Sequence, residues 1–318
     1  KVIPVLTRIS VATGPTSMYC ALASAICSLV QGSPAPSTDA VVDPLMPTLA
    51  RLFEIQDIHA INSVLFSLAY LSESNPSSLT TMVELGMTPK VAAALDGTLA
   101  QTLKDFEMSG SPDHDENEDR EDTELMLLTP ALRTVVGVAS TGEDFIQAIL
   151  DTDAAGSIVQ LIEHPRRDIR VLASKALANM SLGSQAQIQI LLDYDLAKLL
   201  QNHFEREVHV TVKKGIATFL ANVCTRGSSE QISEVTSHGA VRIMWHVASL
   251  INVGRTTDLV VSATEAVLAK IDPANIRQVL IDIEESGTFE VLDRQDISED
   301  YFERLTEAMF MAESRIVD

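Results

Sequence analysis

Aromatic side chains are scarce: they make up 4% of the 318 residues, and there is a single tryptophan, Trp245. Cysteine is rarer still. Cys20, Cys27 and Cys224 are the only three, and no two of them form a Cys-x-x-Cys pair. This excludes a disulfide framework as the organising device and fits a reducing compartment, with the thiols packed as small apolar groups. Positive charge is also short. Lys and Arg number 23 against 44 Asp and Glu, a balance of −21. An acidic surface repels phosphate backbones, so nucleic acid is not an expected partner, whereas a basic protein segment is the electrostatic complement. No run approaches the ~20 unbroken apolar residues of a membrane span, and no charged-then-apolar leader is visible, so no membrane partner is expected.

The usual marks of catalysis are missing too. The chain has no Gly-x-x-x-x-Gly-Lys phosphate cradle, no Gly-x-Gly-x-x-Gly and no Gly-x-Ser-x-Gly elbow. Its seven histidines, His59, His114, His164, His203, His209, His238 and His246, are scattered without metal-ligand spacing. No enzyme activity, cofactor or metal is expected.

What is abundant is apolar helix. Hydrophobic residues are 46% of the chain and recur at intervals of 3, 4 and 7, as in Ile158–Ile162 and Leu196–Leu200. Strand alternation bounded by tight turns is missing, so the class expected is all-α. A short cassette repeats along the chain: Phe66-Ser-Leu-Ala-Tyr70-Leu71, Lys175-Ala-Leu-Ala-Asn179-Met180, Thr218-Phe-Leu-Ala-Asn222-Val223 and Ala266-Val-Leu-Ala-Lys270-Ile271. Weaker copies run Ser24–Leu29 and Thr134–Ala139. The fifth cassette position falls at 28, 70, 138, 179, 222 and 270, with intervals of 42, 68, 41, 43 and 48. Four of these lie near the ~40–47 residue period of stacked helix pairs or triplets, and the fifth is one period plus an insertion.

The composition locates that insertion. Ser109-Gly-Ser-Pro112 leads into the acidic run Asp113–Asp122, so a solvated, mobile loop is expected at about 109–124, within one solenoid domain spanning 1–318. Ser33-Pro-Ala-Pro36 and Ser74-Asn-Pro-Ser-Ser78 read as inter-helix breaks, as do Gly86, Gly183, Gly227 and Gly239. Each module would cover its apolar face only by stacking on its neighbours. The fifth cassette position varies in polarity, which suggests a surface shared by successive modules. Trp245 lies outside the cassette and reads as an inter-helix core residue.

These segments resemble the importin-alpha family of armadillo-repeat adaptors. The resemblance is carried by Ile26–Pro36, Met46–Phe53, Leu68–Ser72, Leu128–Arg133 followed by Gly137 and Thr141–Asp144, His164–Arg170, Ala178–Gly183, Lys213-Lys214 and Ala221-Asn222, in the family's order over about 250 residues. It implies a right-handed α-solenoid of about six to seven armadillo repeats, and an adaptor for nuclear import. In that family the third helix of each repeat carries Trp-x-x-x-Asn: the Asn binds the cargo backbone, and Trp rings hold Lys stems with cation–π attraction of ~0.5–2 kcal/mol.

Carried over position by position, the Asn site falls on Ser28, Tyr70, Val138, Asn179, Asn222 and Lys270, and the Trp site on Ser24, Phe66, Thr134, Lys175, Thr218 and Ala266. The acidic residue three before the Trp becomes Ser63, Leu172 and Gly215, and a cation at Lys175 would repel basic cargo. The peptide-binding residues implied are therefore Ser24, Ser28, Phe66, Tyr70, Asn179, Thr218 and Asn222. Asn179 and Asn222 have a second reading, as helix asparagines bonded to a neighbouring carbonyl. The partners implied are basic cargo peptides bearing nuclear localisation signals, importin-beta and the recycling exportin, and the location implied is cytoplasm and nucleus. The alternative is an armadillo interaction scaffold that has lost the basic-peptide site. Val2–Leu6 reads as a repeat's second helix, so the chain starts inside a repeat, without the family's first repeats and autoinhibitory segment. The acidic tail Asp296–Asp318 reads as helix, and a role in exportin contact belongs to the family rather than to the residues.

Overall fold

A computed structural model describes residues 3–11, 13–32, 36–75, 78–108, 118–251, 254–294 and 299–317. The described residues form helices and turns, with no strand among them. They divide into two compact units, Lys1–Gln160 and Leu161–Asp318.

The first unit contains α1 (Ile3–Val11), α2 (Thr16–Val30), a π-helical turn (Thr38–Val42) running into α3 (Asp43–Leu52), α4 (Ile58–Ser74), α5 (Ser78–Glu84), α6 (Thr88–Leu95), α7 (Thr98–Met108), α8 (Glu118–Ala139), α9 (Glu143–Leu150) and α10 (Ala154–Gln160). The cassettes sit on α2, α4 and α8, which pack in that order, α2 on α4 and α4 on α8. α4 shows how. Asp57 caps it by accepting from the Ala60 N–H at 2.9 Å. Ile61, Val64, Leu65, Leu68 and Leu71 recur three and four apart and are at most 2% exposed. Each such side chain contributes about 1.5–3 kcal/mol relative to leaving it in water.

The expected loop at about 109–124 is only partly a loop question. Residues 109–117 lie outside the described residues, but the acidic run is already helical from Glu118, where α8 begins. Glu is a good helix former, and that outweighs the solvation argument once a long apolar helix follows.

The second unit opens with a 3₁₀ turn (Leu161–Glu163) and α11 (Arg167–Met180). Three modules of three helices follow: α12 (Gln185–Leu192), α13 (Leu196–Arg206) and α14 (Val210–Arg226); α15 (Ser229–Ser237), α16 (Ala240–Leu250) and α17 (Gly254–Lys270); α18 (Pro273–Glu285), α19 (Thr288–Arg294) and α20 (Glu299–Val317). The third helices pack in sequence, α11 on α14, α14 on α17 and α17 on α20. Their first helices start alike. Ser184 and Ser228 each form a reciprocal cap with Gln187 and Gln231, and Asp272 caps α18 through the Ala274 N–H.

These three caps lie 44 residues apart, twice over. The turn from first to second helix needs a left-handed residue, supplied by Gly239 (φ 78°), Gly287 (φ 72°) and, unusually, Asp195 (φ 54°). Trp245 is fully buried and donates its indole N–H to Thr264 Oγ1 at 3.1 Å, which ties α16 to α17 as a core residue. The three thiols are free. Burial pushes Cys224 up to about 12, and burial together with Asp57 pushes Cys20 up to about 11, so neither is a thiolate at neutral pH.

Candidate binding face on the third helices

In the first unit, the outward side of α2 carries Ser24 and Ser28, both exposed. Ser28 Oγ donates back to the Ser24 carbonyl at 2.9 Å, and Ser24 Oγ lies 3.4 Å from Ser63 Oγ on α4. One turn along α4, Phe66 and Tyr70 stack with ring centroids 6.5 Å apart. Arg133 of α8 places its guanidinium 4.8 Å from the centre of the Tyr70 ring and forks onto Glu73 at 2.9–3.2 Å. Tyr70 thus has Phe66 and Arg133 as neighbours already, and its ring is no open slot for an incoming cation. Thr134 and Val138, on the equivalent positions of α8, are both 1% exposed. Thr134 donates to the Pro130 carbonyl at 2.9 Å, so the ladder of sites expected from the cassette stops at Tyr70 in this unit.

The second unit places Lys175 outward and exposed on α11, with Asn179 one turn further, half-buried. Thr218 on α14 is half-buried, and its hydroxyl donates to the Lys214 carbonyl at 2.8 Å. Asn222 is different. It is 6% exposed, and its amide donates to the Ala178 carbonyl at 2.9 Å and to Ser181 Oγ at 3.1 Å. Both hydrogens of Nδ2 are used between α11 and α14. Of the two readings that the sequence leaves open, the geometry at this asparagine is that of bonding to a neighbouring helix.

The cause lies two turns earlier. A Cβ on Gly215 would sit 2.6 Å from Ser174 Cβ and 3.0 Å from the Ser174 carbonyl carbon. Only glycine lets α14 come this close to α11, and that approach brings Asn222 within reach of Ala178. Lys270, at the next cassette position, lies one turn beyond the structural equivalent of Asn222, in the place that Arg226 takes on α14. Its ammonium lies 3.3 Å from the Thr225 carbonyl and 3.5 Å from that of Gly227, at the end of α14.

Lys270 belongs to a set that the cassette does not reveal. Arg226 donates to the Leu182 carbonyl at 2.8 Å, just past the end of α11. Arg315 donates to the carbonyls of Leu268, Ala269 and Ile271, at the end of α17. α14, α17 and α20 therefore each place a cation against the carbonyls that end the preceding third helix, where the helix dipole favours positive charge by about 0.3–1 kcal/mol. The signal available in the sequence is a basic residue in the last turn of α14, α17 and α20, recurring after 44 and then 45 residues.

At the opposite end of the same pair of helices sits Glu207, just before α14, with its side chain 1% exposed. It accepts from Arg170 Nε at 2.7 Å and Nη2 at 3.2 Å and lies 3.1 Å from His203 Nε2. The N–H groups of Val208 and His209 also donate to it, each at 2.9 Å. Burial alone would raise this carboxyl, but the Arg170 guanidinium and the His209 N–H outweigh it and hold it at about 2. The cluster is a brace between the starts of α11 and α14. Of the two histidines here, His203 meets this carboxylate through its ring and His209 through its backbone N–H.

Away from the third helices, a cleft of about 300 Å³ is lined by Phe204, His238, Arg242, Ile243, His246 and Glu285 among others. Its charges are of both signs, so it selects no ligand class.

Helix triplets of this kind, with third helices packed on third helices, are the armadillo-repeat fold. A designed armadillo-repeat protein in complex with the peptide (KR)4 matches 84% of this chain and 98% of its own at a TM-score of 0.61 and 18% identity. Computationally designed armadillo-repeat proteins for modular peptide recognition match 84% of this chain and 99% of theirs at a TM-score of 0.64, again at 18% identity. The chain therefore has the armadillo-repeat fold. In sequence it is similar to importin subunit alpha-1a of Oryza sativa subsp. japonica, at 24% identity over 173 residues, 54% of this chain. That match spans 28% of the length of the rice protein. No family model matches the chain.

Proposed function

We propose that the chain is a non-catalytic armadillo-repeat interaction scaffold that receives extended segments of a partner protein along the outward face of the third helices within a unit. The face in the first unit is small and polar, Ser24 and Ser28 beside Phe66 and Tyr70. In the second it is Lys175, Asn179 and Thr218. The observation that carries this reading, in preference to an adaptor for basic cargo, is the condition of the Trp-x-x-x-Asn pairs on α11 and α14. Lysine and threonine stand at the Trp positions, and Asn222 has spent its amide on the Ala178 carbonyl and Ser181 hydroxyl.

Peptide display against the 318-residue chain tests it. The reading expects enriched sequences whose binding falls at least tenfold with Asn179→Ala plus Thr218→Glu while the helical circular dichroism is retained. It fails if the enriched sequences bind the variant as well as the parent.

A second reading has one specific observation in its favour, the 173-residue similarity to importin alpha. In that reading the chain is a nuclear import adaptor. It would bind localisation-signal peptides at Ser24, Ser28, Phe66, Tyr70, Asn179, Thr218 and Asn222, work with importin-beta and a recycling exportin, and move between cytoplasm and nucleus. Titration of a labelled lysine-rich localisation peptide separates the two. The adaptor reading expects binding tighter than ~10 µM that weakens with salt; the scaffold reading expects none.

A further inference from the structure

We propose that the α11–α14 step of this face binds an acidic, carboxylate-rich segment of a partner protein, with Lys175 and Lys214 as its paired cations. This rests on the scaffold reading and names the partner's chemistry.

The first observation is charge. The chain holds 44 acidic residues, yet α14 has none among its 17 residues and α11 has one among its 14, Asp168. Asp168 is paired with Arg166 at 3.0 Å. Two neighbouring third helices are thus cleared of negative charge in a protein that is otherwise rich in it.

The second observation is direction. The contacts Ser174 to Gly215, Ala178 to Asn222 and Leu182 to Arg226 rise together along both helices, so α11 and α14 run parallel. Ser174 and Gly215 point at each other. A helix turns about 100° per residue. One step forward from Ser174 on the left-hand helix and one step back from Gly215 on the right-hand helix therefore swing to the same side. Those steps are Lys175 and Lys214. Both are exposed, and neither has an ion-pair partner among the described residues. The neighbouring Lys213 turns elsewhere, its ammonium 4.5 Å from the Phe204 ring centre.

Two ammonium groups on one side of a tight crossing, with no carboxylate between them, form a surface whose complement is a row of Asp or Glu. Asn179 and Thr218 lie on the same two helices one turn further along. In the family this chain resembles, the same step faces basic cargo; here the sign is reversed.

The test is fluorescence anisotropy on the full chain with three labelled peptides of equal length, Glu-Ser-Gly repeats, Lys-Ser-Gly repeats and Ser-Gly repeats, at low and high salt. The expected result is that the glutamate peptide binds and is weakened by salt. Lys175→Glu with Lys214→Glu lowers its affinity at least tenfold and turns the preference toward the lysine peptide. Lys198→Glu, an exposed change on α13, leaves it within twofold. The inference is overturned if the glutamate peptide binds no better than the Ser-Gly peptide, or if Lys198→Glu costs as much as the double reversal. If the neutral peptide binds and the acidic one does not, the scaffold reading stands and this inference alone is lost; if the lysine peptide alone binds, both give way to the adaptor reading. If none of the three binds, both fall.

Discussion

The two units solve the same packing problem with different discipline. In Leu161–Asp318, caps and clamps come at a fixed interval: Ser184, Ser228 and Asp272 start the first helices, and Arg226, Lys270 and Arg315 close the ends of the third. In Lys1–Gln160 the matching places are served one by one. Asp57 caps α4, Gly142 precedes α9 without a side-chain cap, and α8 has no basic residue in its last turn; its Arg133, further back, engages the Glu73 carboxylate. The long interval of the cassette, the 68 residues from Tyr70 to Val138, falls in this looser unit, and α7 lies within it. Polar bonds between modules fix module length; where they are few, apolar packing alone tolerates an insertion.

If that contrast is right, the largest loss comes from the brace of the strict unit. Glu207→Gln removes the buried charge that half-buried Arg170 faces and is expected to cost about 3 kcal/mol by urea unfolding, with the loss confined to the transition of the second unit. The pH dependence has a definite sign. The folded carboxyl sits at about 2, below its ordinary 4.5, so its contribution is complete above the ordinary value and drains away as pH falls toward 2. Unfolding midpoints that did not decline over that acid window would break the assignment.

Next come the close crossings, one in each unit. A Cβ on Gly137 would meet Ser72 Cβ at 2.4 Å and its carbonyl carbon at 3.2 Å, a clash of the same kind as at Gly215. Gly137→Ala and Gly215→Ala should each cost about 1–3 kcal/mol, because the obstacle includes backbone that cannot swing aside. Equal losses in the two units would show that the units share this contact and differ only in their polar bonds.

Asn222→Ala is expected to cost about 1–3 kcal/mol, since the Ala178 carbonyl and Ser181 hydroxyl lose their donor in a buried setting. Asn179→Ala, at a half-buried position on the proposed face, is expected to lower peptide affinity. Affinity lost at Asn222 and kept at Asn179 would undo that assignment. The smallest effect belongs to the clamps. Lys270→Ala should lower stability by about 0.3–1 kcal/mol and less in high salt, measured by the same denaturation.

The fold was legible in the sequence because it is written in apolar spacing, and the cassette repeats whether or not its surface residues survive. Trp245 was legible for the same reason. The fate of Asn222 was not. Asn179 and Asn222 sit in matching cassettes, Ala-Leu-Ala-Asn and Phe-Leu-Ala-Asn, yet the latter is turned to a carbonyl by a glycine seven residues earlier. That is a distance between two helices, which spacing within one helix does not encode. The clamping cations were in plain view, but a basic residue at a helix end has many uses, and only its neighbour in the next module shows which one applies. The acidic stretch from Glu118 was read from its charge, whereas its backbone follows the helix it leads into.

The cap-and-clamp interval has one more consequence. If α12–α14 were excised as a block of 44 residues, α11 would come to lie against α17, with Lys270 taking the place of Arg226 beside the Leu182 carbonyl and Ser228 beginning the next helix where Ser184 had begun it. Such a protein would be shorter by one rung and still find every helix end provided for, so the second unit is a chain whose length evolution or an engineer can change in whole steps.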